Sequence, residues 1–111
     1  MPNVKFYVDD RHFAQIRPAL EAAMPDLRAY LCDTLKVGPA ACQFAALPVC
    51  ALADQPAINA ELFLLPHEDR SRPLLTTMGE GLRARLQAIA PALAIAIRIH
   101  ALDPATYIAL K

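Results

Sequence analysis

The stretch Asn3-Val-Lys-Phe-Tyr-Val8 decides the fold. Val4, Phe6 and Val8 alternate with Asn3, Lys5 and Tyr7, a period of two that predicts a strand with one apolar and one polar face. Asp9 and Asp10 close it, and either can cap a following helix. The next apolar residues, Phe13, Ile16, Leu20, Met24, Leu27, Leu31 and Leu35, recur every three or four positions, which is one face of a helix. Pro18 and Pro25 interrupt that stretch without shifting its phase. It therefore reads as a kinked helix or as two shorter helices in line, since an interior proline removes a hydrogen bond and crowds the preceding turn. Gly38-Pro39 reads as its stop signal.

Further along, residues 42–53 form an almost continuous apolar run with Pro48 inside it. This predicts a buried or interface strand with the proline at a bulge or on an edge. Asp54-Gln55-Pro56 makes a turn, and Ile58 to Leu65 reads as another strand. The short turn makes an antiparallel hairpin of these two runs the simplest expectation. The polar segment 66–73 leads into a second helix, with Ser71 or Arg72 near its cap and Pro73 in its first turn. Its apolar face is Leu75, Met78, Leu82, Leu86 and Ile89, and Gly79 and Gly81 weaken it. Ala94 to His100 alternates again and predicts a strand, and Thr106 to Leu110 predicts a short final one.

The order is strand, helix, strand, twice. The expected fold class is α+β: two β-α-β units forming a four-stranded mixed sheet, two helices on one face, and a short C-terminal strand. Right-handed crossovers set each unit's strands parallel. The other face of the sheet, with Asn3, Ala45 and Ala96, is left for another subunit.

Composition agrees. The 111 residues suit one domain, 1–111. A hydrophobic fraction of 56% excludes a chain that is mainly disordered and argues for assembly between subunits. Eleven basic and eleven acidic residues balance to a net charge of zero, which argues against nucleic acid as a partner. No stretch is apolar enough for a membrane helix, and the start lacks the layout of a signal peptide, so the expected location is cytoplasmic. Cys32, Cys42 and Cys50 form no CxxC motif and read as reduced thiols. His12, His67 and His100 lie far apart, so no metal site is expected.

Most catalytic motifs are absent. The three glycines, Gly38, Gly79 and Gly81, form no phosphate loop. What remains is Met1-Pro2 at the head of the first strand. A small second residue favours removal of the initiator methionine, which would leave Pro2 with a free secondary amine. An α-amine titrates near ~7.7–8.0 in water, and burial beside cations lowers that value by disfavouring the ammonium form. A neutral amine can take a proton from carbon and return it elsewhere, while a cation holds the substrate and the enolate that forms.

With Met1-Pro2 leading NVKFYV into two β-α-β units, the chain resembles the tautomerase superfamily, in particular the long-chain branch typified by 5-carboxymethyl-2-hydroxymuconate isomerase. The resemblance covers the whole chain by length and element order. It implies a homotrimer with sheets around a central axis and a pocket at each subunit interface. It also implies a cofactor-free isomerase of small anionic keto-enol acids, with Pro2 as the acid–base group. Arg70 or Arg72, after the third strand, stands where that branch keeps a substrate-binding arginine. The branch also has an arginine on the second strand, near Gln43, and this chain has none there. Lys5, Arg98 and His100 on the polar strand faces are the candidates to replace it, and Tyr107 is a candidate proton donor or pocket wall. The alternatives are a non-catalytic trimer of the same fold, acting as a binding or structural module, and a ferredoxin-like interaction domain.

Overall fold

The computed structural model describes residues 2–111. Strand β1 is Asn3–Asp9, helix α1 is Asp10–Leu35, and a 3-10 turn at Pro39–Ala41 leads into β2, Gln43–Val49. Strand β3 is Ile58–Leu64, helix α2 is Arg72–Ile89, and β4 is Ile95–Ala101. The sheet order is β2-β1-β3-β4. β1 runs parallel to β2 and antiparallel to β3, and β3 runs parallel to β4. Two β-α-β units thus meet across an antiparallel centre.

The hairpin expected between residues 42–53 and 58–65 does not form. β2 and β3 are consecutive in sequence, but β1 lies between them. The α1 crossover seats β2 against one edge of β1, leaving the other edge for β3. The link from Cys50 to Ala57 has only to span two strand spacings, roughly 10 Å. The final strand is also absent: Thr106 and Tyr107 donate back to the Asp103 carbonyl in a turn, and residues 107–111 adopt no regular structure. Among the described residues no strand pairs with that tail, and Ile108 and Leu110 lie exposed at 80% and 92%.

The period-two reading of β1 corresponds to its packing. Val4, Phe6 and Val8 are fully buried, and Ile58, Ala60, Leu62 and Leu64 of β3 continue the same face. Leu20, Leu27, Leu31 and Leu35 of α1 cover it, together with Met78, Leu82 and Leu86 of α2. α1 is one continuous helix across both prolines. Pro18 and Pro25 are exposed, so the carbonyls they leave without a partner face water. The helix ends before Gly38: Lys36 takes the left-handed C-cap conformation at φ 58, and its N–H donates to the Cys32 carbonyl. Pro48 sits on an edge strand, where its missing N–H costs no ladder bond.

Asp9 is the N-cap of α1 and is almost fully buried. Its carboxylate accepts from the Arg11 backbone N–H and Nε at 3.0 Å and from Nη2 at 2.5 Å. Arg11 also donates to the Ala51 carbonyl, tying the exit of β2 to this cap. The side-chain and backbone hydrogen bonds from Arg11 pull the Asp9 carboxyl down to about 2. A folded-state value below the unfolded one means that this stabilisation is complete above pH ~4 and is lost as pH falls toward 2. Urea midpoints measured from pH 7 to 2.5 should therefore drop below pH 4 in the wild type. Asp9→Asn should be less stable at pH 7 and flatter across that window; parallel curves would exclude Asp9 as the source.

The two helical glycines have packing reasons. A Cβ at Gly79 would meet Ile99 Cδ1 at 3.3 Å, so glycine lets α2 lie close on β4. A Cβ at Gly81 would overlap the Tyr30 hydroxyl, which donates to the Met78 carbonyl while Arg85 stacks 3.6 Å over the ring. Gly81→Ala should therefore destabilise the protein despite a helix-propensity gain of about 1 kcal/mol. In a Tyr30→Ala background the same change should stabilise it. A thermal-unfolding mutant cycle in which both backgrounds respond alike would show that the Tyr30 slot is not what requires glycine.

Candidate active site

The antiparallel centre brings the start of β1 and the ends of β3 and β4 to one end of the sheet. Pro2 is buried there, and its carbonyl accepts from the Gln43 N–H at 3.0 Å. The register pairs Asn3 with Phe63 and Leu64 with Ala101. Continued by one residue, it sets Pro2 opposite Leu64, two strand spacings or roughly 10 Å from Ala101.

Ala101 lines a groove of about 640 Å³ between α2 and the outer edge of β4, together with Arg70, Arg72, Thr76, Gly79, Arg83 and Ile99. Arg70 Nη1 donates to the Leu65 carbonyl at 2.6 Å, fixing that guanidinium beside the end of β3. Arg72 is the first residue of α2, capped by the Ser71 hydroxyl, which accepts from the Leu74 N–H. The positive end of the helix adds to the field at Arg72. The acidic neighbours do not neutralise these arginines. Asp69 pairs instead with Lys36 at 3.9 Å while its backbone N–H donates to His67 Nδ1 at 3.2 Å, and Glu68 makes no ion pair among the described residues.

The structure thus brings Arg70 and Arg72 into one groove at the Pro2 end of the sheet, although Pro2 does not itself line the groove. The other expected residues lie elsewhere. Lys5 and Arg98 stand on the uncovered face of the sheet, across from Glu61 in the register. Lys5 donates to Asn3 Oδ1 and Arg98 to Asn59 Oδ1, each at 2.7 Å. His100 stacks on Phe63 on that same face, with ring centroids 4.8 Å apart. Tyr107 is in the C-terminal turn. Arg83 and Thr76 line the groove but were not singled out from the sequence. They fall on the stripe of α2 beside its apolar face, and only the position of β4 marks that stripe as a wall.

Among the described residues, no three His, Cys, Asp or Glu side chains converge to hold a metal ion. No helix among them is long and apolar enough to cross a membrane. Cys32 and Cys42 are buried free thiols, Cys50 is an exposed one, and burial pushes the Cys42 thiol up to about 12.

Solved structures carry the same architecture. A 5-carboxymethyl-2-hydroxymuconate isomerase from Deinococcus radiodurans R1 superposes with a TM-score of 0.77 at 15% identity, over 98% of this chain and 88% of that one. The chain has the tautomerase fold. Two further solved structures extend the comparison. A protein of unknown function from Vibrio cholerae gives 0.76 at 15% identity, over 97% of this chain and 83% of that one. A fused 4-OT wild-type asymmetric trimer gives 0.72 at 10% identity, over 95% and 89%. No protein-family model matches the sequence, nor does any curated protein.

Proposed function

We propose that this chain is a cofactor-free tautomerase of small keto-enol carboxylic acids. In this reading Pro2, with its nitrogen freed, takes a proton from the substrate carbon or oxygen and returns it across the keto-enol system. Arg70 and Arg72 hold the carboxylate and the negative charge that develops on the enolate oxygen. The observation that supports the reading is that a buried Pro2 and a two-arginine groove lie at the same end of the tautomerase sheet, with Pro2 outside the groove lining. The isomerase among the structural neighbours supports the same reaction class. A homotrimer is part of the proposal. The uncovered sheet face offers small residues and the Lys5–Glu61–Arg98 row to another copy, and the fused 4-OT neighbour is itself described as a trimer.

A second reading, a non-catalytic oligomer that binds anions, draws on the position of Pro2 outside the groove lining. Ketonisation of phenylpyruvate separates the two, using protein whose N-terminal mass begins at Pro2. Turnover above the buffer rate supports the enzyme, and its absence in that processed protein supports the binding module.

A further inference from the structure

The turn that joins α1 to β2 carries chemistry that the candidate active site does not use. Cys32 stands in the last turn of α1, and Cys42 lies between the 3-10 turn Pro39–Ala41 and the start of β2. Both are buried, and both belong to the main core cluster. The turn folds one thiol back toward the other. Cys32 Sγ lies 3.7 Å from the Gly38 carbonyl, and the next carbonyl, that of Pro39, accepts from the Cys42 N–H at 3.1 Å. After burial, the charge and side-chain hydrogen bonding of Cys32 hold the Cys42 thiol above its ordinary range, so the two sulfurs are neighbours. Neighbouring sulfurs joined by one short turn are an arrangement that a disulfide can close with little backbone movement. Access comes through the same turn. Lys36, Gly38, Pro39 and Ala40 are exposed. The backbone hydrogen bonds of the turn are local: Lys36 and Val37 donate to Cys32, Ala41 to Gly38 and Cys42 to Pro39. Such a segment opens at a small fraction of the free energy of global unfolding. Closed, it shields both thiols; open, it exposes them together.

We propose that Cys32 and Cys42 form a redox modification site, a thiol pair that low-molecular-weight disulfides of the glutathione class convert reversibly to an intramolecular disulfide. One cysteine of the opened turn, as thiolate, attacks a sulfur of the oxidant, forming a mixed disulfide and releasing one glutathione thiolate. The second cysteine, as thiolate, attacks the protein sulfur of that mixed disulfide and releases the other glutathione. The protein gives up two protons and two electrons, and the oxidant leaves as two glutathione thiols. The product ties the end of α1 to the start of β2, where the Gln43 N–H donates to the Pro2 carbonyl. Cys50 has no such partner. It is exposed beyond the far end of β2, eight residues or roughly 26 Å along the chain from Cys42, out of disulfide reach. Its reaction stops at the mixed disulfide.

The test uses folded Cys50→Ala protein, which loses an exposed thiol and keeps the core. It is equilibrated in glutathione buffers of increasing oxidised fraction, quenched with N-ethylmaleimide in denaturant, and digested with trypsin. Cleavage after Arg28, Lys36 and Arg70 puts Cys32 and Cys42 on separate peptides, 29–36 and 37–70, so only a disulfide joins them. The joined peptides should come from the folded protein, run as a single chain on a non-reducing denaturing gel, and separate with dithiothreitol. Urea-unfolded protein in the same buffers should form the link with an equilibrium constant at least about tenfold smaller, since only the fold preassembles the two thiols. By linkage, the oxidised protein should melt roughly 5 °C or more above the reduced one. Three results overturn the proposal: both cysteines alkylated at every buffer ratio, glutathione carried at Cys32 or Cys42 without closure of the pair, or a link formed as readily in urea. The readout requires neither turnover nor a free Pro2 nitrogen, so it stands or falls apart from the tautomerase reading.

Discussion

Protein whose Pro2 nitrogen is acylated, by a retained methionine or an added residue, is expected to ketonise phenylpyruvate about 10²–10⁴-fold more slowly than protein that begins at Pro2. That range is the usual contribution of a positioned acid–base group. An amide nitrogen has no basic lone pair, so acylation removes the base and leaves the groove intact. Pro2→Ala tests a different property. It keeps an α-amine but loses the ring that fixes the direction of the lone pair, so its rate should fall between the two. The pH profile adds an independent reading. On the proposed reading turnover needs the neutral amine, and burial of a freed Pro2 nitrogen would lower the pH at which that form appears. The processed enzyme should therefore lose rate on acidification, with its midpoint below the ~7.7–8.0 of a free α-amine. Equal rates in the acylated, processed and alanine proteins would remove Pro2 from the chemistry.

The largest stability effect is expected at Phe6. It lies on β1, one of the two strands paired on both sides, is fully buried, and meets Phe44 edge-on with ring centroids 5.6 Å apart. Phe6→Ala removes that contact and opens a cavity beneath both helices, at a cost of about 3–5 kcal/mol. Natural domains are stable by only about 5–15 kcal/mol, so this one change consumes a large share of the total. Phe6→Leu keeps most of the apolar volume and should cost far less. Urea unfolding of the three proteins reads the differences as midpoint shifts at a common slope. A loss below ~1 kcal/mol for Phe6→Ala would mean that β1 is not packed as described.

Much of this arrangement is legible in the residues. The alternation of NVKFYV marks the strand and its buried face, and the three-and-four spacing from Phe13 to Leu35 survives two prolines because one helix does continue through them. Ser71 and Asp9 act as the caps their positions suggest. Strand neighbours were less legible. A short link favours a hairpin locally, whereas the order β2-β1-β3-β4 is set by which edges of β1 the helical crossovers leave open. The tail residues Tyr107 to Leu110 have the composition of a strand, but a strand needs a partner edge, and none in this chain takes them. At the site, Pro2 stands out by its place after Met1, whereas Arg70 and Arg72 are marked only by what the resemblance implies. Arg83 is marked by neither, because its place in the lining depends on a groove formed by a strand that follows it in sequence.

The antiparallel centre of the sheet has one more consequence. A rotation of half a turn about the midpoint of the Phe6–Ala60 pair carries Val4 onto Ile58. Pro2 and Pro56 thus occupy equivalent positions in sequence, each two residues ahead of a buried branched aliphatic side chain. In the sequence, both are bonded through nitrogen to a preceding residue, Met1 and Gln55. Removal of Met1 would free the first of these nitrogens alone, and hydrolysis of the Gln55–Pro56 bond would free the second, giving both halves the same chemical start.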